Sequence, residues 1–394
     1  MMKNIITNIG KFILLRLIYP WQYRRFSKGS IEEGKVIFVE IRNEKISNSL
    51  KSMYERVIEL GKFNIKTHFL LEGVGSRKEN IKRTMAFLKD MGDAQYVFLC
   101  EANNAFACFD KRKETKVIQL WHGCGAFKKF GFSTADLKFG SSKSQQEKYP
   151  LYNNLDLVTV SSPEVVWAYK EAMGLSDDIV KPLGISRTDV FFDVEYIENC
   201  RSKIEALIPQ IKGKKVILYA PTFRGDVSNA KAPDKLELEF MKKNLGDKYV
   251  ILIKHHPFIK DLPEISESCY EFAFDVTHEL DIDVLLCASD ICISDYSSLV
   301  FEYALLNKPM IFFAYDLDDY NDWRGFYYDY DEMTPGPIVK DASKLVDQIE
   351  LASNNYNYEE IKTFKNKFME ACDGQSTNRI LEHVGIRWSY SEDK

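Results

Sequence analysis

Several patterns that identify common enzyme classes are missing from this 394-residue chain. It contains no nucleophile-elbow serine, no Walker A lysine loop and no GxGxxG fingerprint, which argues against hydride transfer and ATP hydrolysis. Its eight cysteines are scattered, without a CxxC pair or zinc-ligand spacing. We therefore expect a reducing, cytoplasmic compartment and no structural metal. The formal net charge of -5 does not indicate nucleic-acid binding.

A hydrophobic run long enough to span a bilayer is also missing. Residues 1–34 instead place apolar residues at helical spacing among lysines and arginines, with Trp21 and Tyr23 as amphipathic rings. This pattern predicts an amphipathic helix that lies on the surface of an anionic membrane. The alternative is a helix packed on the surface of the protein itself.

Beyond residue 34, apolar strands alternate with helices in two successive runs. Strands that are apolar throughout indicate parallel sheets covered by helices on both faces. The sequence therefore predicts an α/β protein of GT-B type, with two Rossmann-like domains facing a central cleft. We assign residues 35–190 to the N-terminal domain and residues 191–394, which end in helices, to the C-terminal domain.

Four turns that follow predicted strands carry polar residues, and the first is WHGCGAFKKFG. His122 comes directly after a strand, Gly123 and Gly125 let the backbone approach a ligand closely, and Lys128 offers positive charge to a phosphate. A histidine with an ordinary pKa near about 6.5 can take a proton from a hydroxyl at neutral pH. We predict that His122 is a catalytic base, the alternative being a packed histidine.

The second and third turns follow buried strands of the second domain. Thr222 ends one strand, and Arg224 follows it as a planar fork suited to phosphate oxygens, unless it is a solvated surface charge. The third turn, IKHHP, has two adjacent histidines that point to opposite sides of the strand. Spacing alone therefore leaves open whether His255 or His256 faces the cleft.

The fourth turn, ISDYSSLVFEYALLNKP, opens a predicted helix. Ser297 and Ser298 follow Asp295 at the helix start, where capping hydroxyls and free backbone N–H groups form an anion site. Glu302 lies one helical turn after Ser298 and is predicted either to reach ribose hydroxyls or to be an exposed charge. Arg324 then begins an aromatic-rich stretch that suits a loop covering the cleft.

Phosphate-binding turns, positive charge and a histidine together favour transfer from a nucleoside diphosphate donor. At these residues the chain resembles the CDP-glycerol glycerophosphotransferase family of bacterial teichoic acid and capsule enzymes. The matching segments, in the order of the family, are QLWHGCGAFKKFG, PLGISRTD, YAPTFR, IKHHP, ISDYSSLVFEYALLNKPMIFFAYD, RGFYYD with PGP, and DGQSTNRI.

The resemblance implies a peripheral enzyme on the cytoplasmic face of the bacterial cell membrane, with an acceptor domain at 35–190 and a CDP-donor domain at 191–394. It implies transfer of glycerol phosphate from CDP-glycerol to a hydroxyl of a lipid-linked saccharide or polyol-phosphate acceptor, with release of CMP. Because no carboxylate pair shows a metal-site pattern, we expect neither a metal nor a cofactor.

Residue by residue, the resemblance places the base for the acceptor hydroxyl at His122 and a contact to the donor diphosphate at His256. The remaining positions that match the family are Arg187, Asp189, Arg224, Ser297, Ser298 and Arg324. Cys124 and Gly125 depart from the threonine and proline of many members. The HGCGAFKKFG form looks like the ribitol-phosphate branch, so CDP-ribitol is the alternative to the favoured CDP-glycerol.

Two further alternatives remain at this stage. A GT-B glycosyltransferase that uses a nucleotide sugar needs the same phosphate-binding turns. A scaffold that binds polymer precursors without catalysis belongs to a different class, and the presence of His122, His256 and the two serines argues against it.

Overall fold

The computed structural model describes residues 2–135, 137, 140, 142–225 and 229–387, and only the backbone of residues 2–7 and 321–324. The chain divides into two compact units. Unit 1 comprises Met1–Gly123, Phe130–Asp189 and Ala371–Lys394, and unit 2 comprises Cys124–Lys129 and Val190–Glu370.

Each unit is built on a parallel six-stranded sheet of described residues, as the apolar strands predict. The first sheet has the order β2-β1-β3-β4-β5-β6 and the second the order β12-β11-β10-β7-β8-β9. The strands are β1 (Glu32–Glu40), β2 (Asn64–Phe69), β3 (Ala94–Leu99), β4 (Lys116–Gln119), β5 (Leu157–Thr159), β6 (Val180–Lys181), β7 (Lys215–Tyr219), β8 (Tyr249–Ile253), β9 (Ala273–Asp275), β10 (Ile291–Ser294), β11 (Met310–Phe313) and β12 (Ile338–Val339).

Helices lie between most of the consecutive strands, as connections between parallel strands require. The helices are α1 (Met2–Ile13), which continues through a π-helical turn (Leu14–Ile18) into α2 (Tyr19–Phe26), then α3 (Asn48–Glu59), α4 (Arg77–Met91), α5 (Asn104–Ala107), α6 (Lys143–Lys148), α7 (Val166–Met173), α8 (Val194–Leu207), α9 (Leu238–Leu245), α10 (Ile282–Ala288), α11 (Leu299–Leu305), α12 (Leu317–Arg324), α13 (Ala342–Asn354), α14 (Tyr358–Phe368) and α15 (Ser376–His383).

The two units have separate hydrophobic cores. In unit 2, strand residues such as Ile217, Ile251 and Ile293 pack with Leu345 and Ile349 of α13. The unit 1 core brings together side chains of β1, β3 and α3 and, in addition, of the chain end. Burial on both faces explains why these strands carry apolar residues at successive positions.

The end of the chain departs from the predicted domain boundary, because its described residues from 371 onward group with unit 1 rather than with the C-terminal domain. Ile380, Leu381 and Val384 are buried in the unit 1 core. Asp189 fixes the start of α15, since its carboxylate accepts hydrogen bonds from the backbone nitrogens of Ser376 (3.0 Å) and Thr377 (2.8 Å). Hydrophobic burial and this cap hold the last helix on unit 1.

The N-terminal helices pack with one face and expose the other. Tyr19 and Tyr23 are buried, and the backbone N–H of Arg112 donates to the Tyr23 hydroxyl at 2.9 Å. An exposed apolar stripe runs along the opposite face and consists of Ile9, Phe12, Ile13, Leu17 and Trp21, each at least 40% exposed. Within the described part of the chain, no helix is both long and apolar enough to cross a membrane.

Candidate active site

In each sheet the strand order reverses at one point. This point lies between β1 and β3 in the first sheet and between β7 and β10 in the second. Open parallel sheets bind ligands at such switch points, because the loops leaving the two strands turn to opposite faces and open a crevice. Several of the predicted site residues follow these strands.

His122 lies beyond the end of β4, close to the switch point of unit 1. Its Nδ1 is 2.9 Å from the carbonyl oxygen of Cys100, just after β3. A carbonyl oxygen can only accept, so Nδ1 carries the proton and donates it. In the neutral ring, Nε2 therefore bears the lone pair that a general base needs.

Protein atoms lie close around the His122 ring, although the residue keeps solvent access. They desolvate the ring and thereby lower its pKa below the usual 6.5. The Cys100 hydrogen bond and Glu101 act in the opposite direction, whereas Arg187 and Arg42 lower the pKa further. The imidazole is therefore neutral at pH 7, the state in which it accepts a proton.

Trp121, the residue before His122, has an uncommon backbone conformation, with a φ of 59°. Its indole stacks on the His122 ring, with centroids 4.5 Å apart. Arg187 donates from Nη1 to the carbonyl oxygen of His122 at 3.1 Å, and the Tyr169 hydroxyl donates to the Gly123 carbonyl at 3.5 Å. A strained residue held by several contacts is typical of a functional turn.

Three charged residues around this turn were not predicted from the sequence. Glu40 ends β1 and is fully buried, accepting from the backbone N–H of Ser47 at 2.7 Å. Arg42 and Glu101 form an ion pair with an N–O distance of 3.3 Å. The missed signal is a charged residue placed immediately after an apolar strand at the switch point of the sheet.

In unit 2, Asp295 connects the turns that follow β7 and β10. Only 2% exposed, it accepts hydrogen bonds from the backbone nitrogens of Thr222 (2.8 Å) and Tyr296 (2.6 Å). Its own carbonyl oxygen accepts from the Tyr330 hydroxyl at 2.8 Å. The carboxylate thus fixes the backbone of both turns at the switch point.

Arg224 lies between two carboxylates rather than in solvent. Nη1 donates to Asp295 at 2.9 Å, while Nε and Nη2 donate to Asp316 at 2.6 and 2.9 Å. Burial by itself lowers the pKa of Arg224, but the two carboxylates raise it on balance. The alternative of a solvated surface charge is therefore wrong. Because these bonds engage all three guanidinium nitrogens, the contact from Arg224 to a phosphate stays a prediction.

His256 lies beyond β8, and its Nδ1 accepts a hydrogen bond from the backbone N–H of Phe258 at 3.2 Å. Its ring also packs against the rings of Phe223 and Phe258, with centroid distances of 4.9 and 4.5 Å. In the neutral ring, Nε2 must then carry the proton and act as a donor. His255 is buried, as expected of a packing residue, and its backbone N–H donates to Thr277.

The serine turn differs in detail from the prediction. Ser298 is the residue before α11 but its side chain forms no capping bond, whereas Ser297 Oγ accepts from the Leu299 backbone N–H at 3.4 Å. Glu302 is only 3% exposed, which contradicts the alternative of an exposed helix charge.

The remaining predicted residues divide between the units. Lys128 Nζ donates to the Tyr320 hydroxyl at 3.2 Å within unit 2. Gly125, with a φ of 61°, packs so closely on Phe301 that a Cβ atom there would lie 2.2 Å from the ring, so its closest neighbour is protein rather than a ligand. Arg324 ends α12, and its side chain lies outside the described residues.

The stretch after Arg324 is not all loop, because it includes a 3-10 turn (Tyr330–Met333) and the edge strand β12. Within the described residues no group of three or more His, Cys, Asp or Glu side chains could hold a metal ion. The absence of a metal requirement and the cleft between two domains both stay predictions.

Two α/β units, each built on a parallel sheet with polar turns at the carboxyl ends of its strands, define a fold like that of GT-B transferases. A solved structure of the wall teichoic acid polymerase TagF is similar, with a TM-score of 0.78 at 24% identity over 96% of this chain and 95% of that chain. The family model described as CDP-glycerol:poly(glycerophosphate) glycerophosphotransferase matches residues 20–385. The chain belongs to this family, and it is an enzyme of the glycerophosphotransferase type.

Relatives named for both polyols are similar to the chain. The teichoic acid ribitol-phosphate primase of Bacillus spizizenii is 33% identical over 97% of this chain and 98% of the relative. The teichoic acid glycerol-phosphate primase of Bacillus subtilis is 34% identical over 70% of this chain and 69% of the relative. The prediction of a polyol-phosphate transferase is therefore confirmed, and both the glycerol and the ribitol interpretations fit.

Proposed function

We propose that this enzyme transfers a polyol phosphate from a CDP-polyol to a hydroxyl of a lipid-linked acceptor in teichoic acid or capsule-type polymer synthesis. CDP-ribitol is the donor to test first, although the sequence analysis favours CDP-glycerol. The similarity to a ribitol-phosphate primase extends over 97% of this chain, whereas the similarity to a glycerol-phosphate primase covers 70%. CDP-glycerol is the second candidate, because the family model is named for it.

The hydrogen bond from His122 Nδ1 to the Cys100 carbonyl is the observation that carries this proposal. It leaves Nε2 unprotonated, so that this atom takes the proton of the acceptor hydroxyl as the oxygen attacks. The pKa of His122, lowered by desolvation, keeps the base unprotonated at neutral pH. The stacked Trp121 ring and the Arg187 contact hold the imidazole and its backbone in place.

In the reaction, a bond forms between the acceptor oxygen and the β-phosphorus of the CDP-polyol. The bond from that phosphorus to the oxygen bridging the two phosphates breaks, and CMP leaves with the electron pair. Negative charge grows on the phosphate oxygens during this step, so preorganised donors lower its barrier. His122 accepts the proton that the acceptor hydroxyl loses as the new bond forms.

His256 and the serine turn support binding of the donor diphosphate. His256 Nδ1 accepts from the Phe258 backbone N–H, so the neutral ring carries its proton on Nε2, and we assign this N–H to a phosphate oxygen of the donor. Asp295 holds the backbone of the neighbouring turn, so that Ser297 and Ser298 meet the donor with little reorganisation. We assign Thr222 and Arg224 to positioning this turn, because their bonds run to Asp295.

We also propose that the exposed apolar stripe lies on an anionic membrane. Ile9, Phe12, Ile13, Leu17 and Trp21 share one exposed face, and Arg16, Arg24 and Arg25 supply positive charge on the same helices. Such a surface inserts apolar rings at the level of the head groups while its cations attract anionic lipids. A lipid-linked acceptor requires an enzyme placed there.

The decisive experiment measures CMP release by the purified enzyme with CDP-ribitol, CDP-glycerol and a UDP-sugar in turn, each with a lipid-linked saccharide acceptor. His122→Asn is the matched variant, because the amide keeps a donor near the Cys100 carbonyl and removes the base. We expect CMP release with CDP-ribitol and its loss in the variant.

CMP release with CDP-glycerol alone would reassign the donor and keep the reaction. UDP release from the nucleotide sugar would identify a glycosyltransferase instead. If no donor gives turnover and His122→Asn leaves polymer synthesis in cells unchanged, the chain is a scaffold.

A further inference from the structure

A pocket of about 410 Å³ in unit 1 lies between the N-terminal helices and α4. We call it the α1–α4 pocket. Its lining comes from α1, the π-helical turn and the start of α2, from the loop after β2 together with α4, and from the segment after β3 with the start of α5. The lining includes Lys11, Leu14, Tyr19, Glu72, Arg77 and Asn103.

The lining combines apolar, cationic and hydrogen-bonding groups. Leu14 and Tyr19 form an apolar side, while Lys11 and Arg77 bring positive charge. The Asn103 amide donates to the Glu72 carboxylate at 3.0 Å. Burial raises the pKa of Glu72, and the nearby cations Arg42 and Lys11 oppose this rise. Such a mixture suits a ligand that carries both a phosphate and hydroxyl groups.

One side of the pocket belongs to the helices that carry the exposed apolar stripe. Lys11 and Leu14 face the pocket, whereas Ile9, Phe12 and Ile13 of the same helix are exposed. A ligand anchored by a hydrocarbon chain in a membrane below the stripe can therefore place its head in the pocket without leaving the bilayer. A second cavity, of about 140 Å³, adjoins the α1–α4 pocket, because Lys11 and Asn104 line both.

The pocket residue Asn103 is close in sequence to Cys100, which contacts His122. Cys100, whose carbonyl accepts the His122 Nδ1 proton, is three residues before Asn103. An extended chain of this length spans at most about 11 Å. The polar end of the pocket is therefore within a few sugar or polyol-phosphate units of the catalytic imidazole.

We propose that the α1–α4 pocket binds the phosphorylated, hydroxyl-rich head of the lipid-linked acceptor and directs its terminal hydroxyl to His122. Lys11 and Arg77 contact the acceptor phosphate, and Glu72 with Asn103 contacts its hydroxyl groups. This inference rests on the acceptor class of the proposed function and adds the place where that acceptor binds.

The test compares two double variants that remove the same charge. Lys11→Gln with Arg77→Gln changes the pocket, whereas Lys78→Gln with Lys82→Gln changes the same region of the surface without touching the lining. Binding is measured on anionic vesicles with and without a lipid-linked saccharide diphosphate. The Michaelis constants for acceptor and CDP-polyol are measured in parallel, and thermal unfolding checks that both variants fold.

We expect the pocket variant to raise the Michaelis constant for the acceptor about tenfold or more, because it removes charge-assisted hydrogen bonds. The constant for the CDP-polyol should stay unchanged, and binding to acceptor-free vesicles should be equal in the two variants. Extra binding to acceptor-bearing vesicles should be lost in the pocket variant alone.

Equal acceptor constants and equal vesicle binding in the two double variants would overturn the proposal. If the pocket variant loses binding to acceptor-free vesicles as well, the pocket holds ordinary lipid phosphates and the acceptor assignment is wrong. Failure of every CDP-polyol to react would overturn the proposed function, and the vesicle measurement would still test the pocket, since it needs no turnover.

Discussion

The two histidine turns differ in one backbone contact, and this contact gives the two neutral rings different tautomers. In unit 1, His122 Nδ1 donates to the carbonyl of Cys100, so Nε2 is a proton acceptor. In unit 2, His256 Nδ1 accepts from the N–H of Phe258, so Nε2 is a proton donor. The neighbouring peptide group, rather than the histidine itself, thus selects the tautomer, and with it the roles that we propose for the two rings.

The surroundings of the two turns also differ, since one is desolvating and the other is charged. Around His122, protein atoms desolvate the ring and lower its pKa. The unit 2 turns are instead held by a charged network of Asp295, Arg224 and Asp316. A neutral base needs an environment that disfavours its charge, whereas a diphosphate site needs a rigid and polar one.

We expect the greatest loss of activity from replacing the histidine of the unit 1 turn. His122→Asn keeps a donor for the Cys100 carbonyl but has no basic nitrogen, so kcat should fall about 10²- to 10⁴-fold. Steady-state CMP release with saturating acceptor and CDP-polyol measures this loss. Exposed His278, changed to Asn, is the control and should keep full activity. A His122→Asn enzyme with near-normal kcat would remove His122 from the chemistry.

The next effect tests whether Arg224 positions the turn or contacts the donor. Arg224→Lys cannot satisfy Asp295 and Asp316 together, and we expect a loss of about 3 kcal/mol in the free energy of unfolding, the low end for breaking a buried ion pair. Chemical denaturation measures it, and Asp316→Asn should cause a loss of similar origin. Normal stability with a raised Michaelis constant for the CDP-polyol would instead support the direct phosphate contact.

Replacing the histidine of the unit 2 turn should have a smaller effect. A glutamine amide can place a donor where His256 carries Nε2–H, so His256→Gln should retain much of the activity that His256→Ala loses. Loss of one charge-assisted hydrogen bond corresponds to about 10- to 100-fold in kcat/KM for the CDP-polyol. His122→Gln should show no such rescue. Equal losses in His256→Gln and His256→Ala would contradict the donor role.

The smallest effect concerns the pH profile. Because the pKa of His122 is lowered, kcat/KM should rise with pH through a value below 6.5 and then stay level at neutral pH. Arg187 contributes to this lowering, so Arg187→Gln should raise the pKa and shift the acid limb to higher pH. Profiles from about pH 5 to about pH 8 measure the shift. An unmoved limb would mean that Arg187 does not tune the base.

Much of the fold could be predicted from the sequence, because its signals are local. Apolar runs such as residues 249–253 indicate buried parallel strands wherever they fall in the chain. Residues that immediately follow such strands, including His122 and His256, are then placed at the ligand-binding edge. The ordered motifs of the chain were enough to predict its family.

The roles within the site depend on residues that are distant in sequence. Arg224 has the same sequence context as a phosphate ligand, yet Asp316, 92 residues away, occupies its guanidinium. The charged residues Glu40 and Glu101 gain meaning only when β1 and β3 lie side by side. The last helix joins unit 1 because Asp189 and the core around Ile380 hold it there.

The strand and helix pattern, the family and the identity of the polar turns follow from the amino-acid sequence alone, because they depend on periodicity and on short motifs. The tertiary fold was needed to establish which nitrogen of each histidine carries the proton, which arginine is engaged by carboxylates and where the chain end packs. Those properties depend on hydrogen bonds and burial between residues far apart in the chain, and no local pattern encodes them.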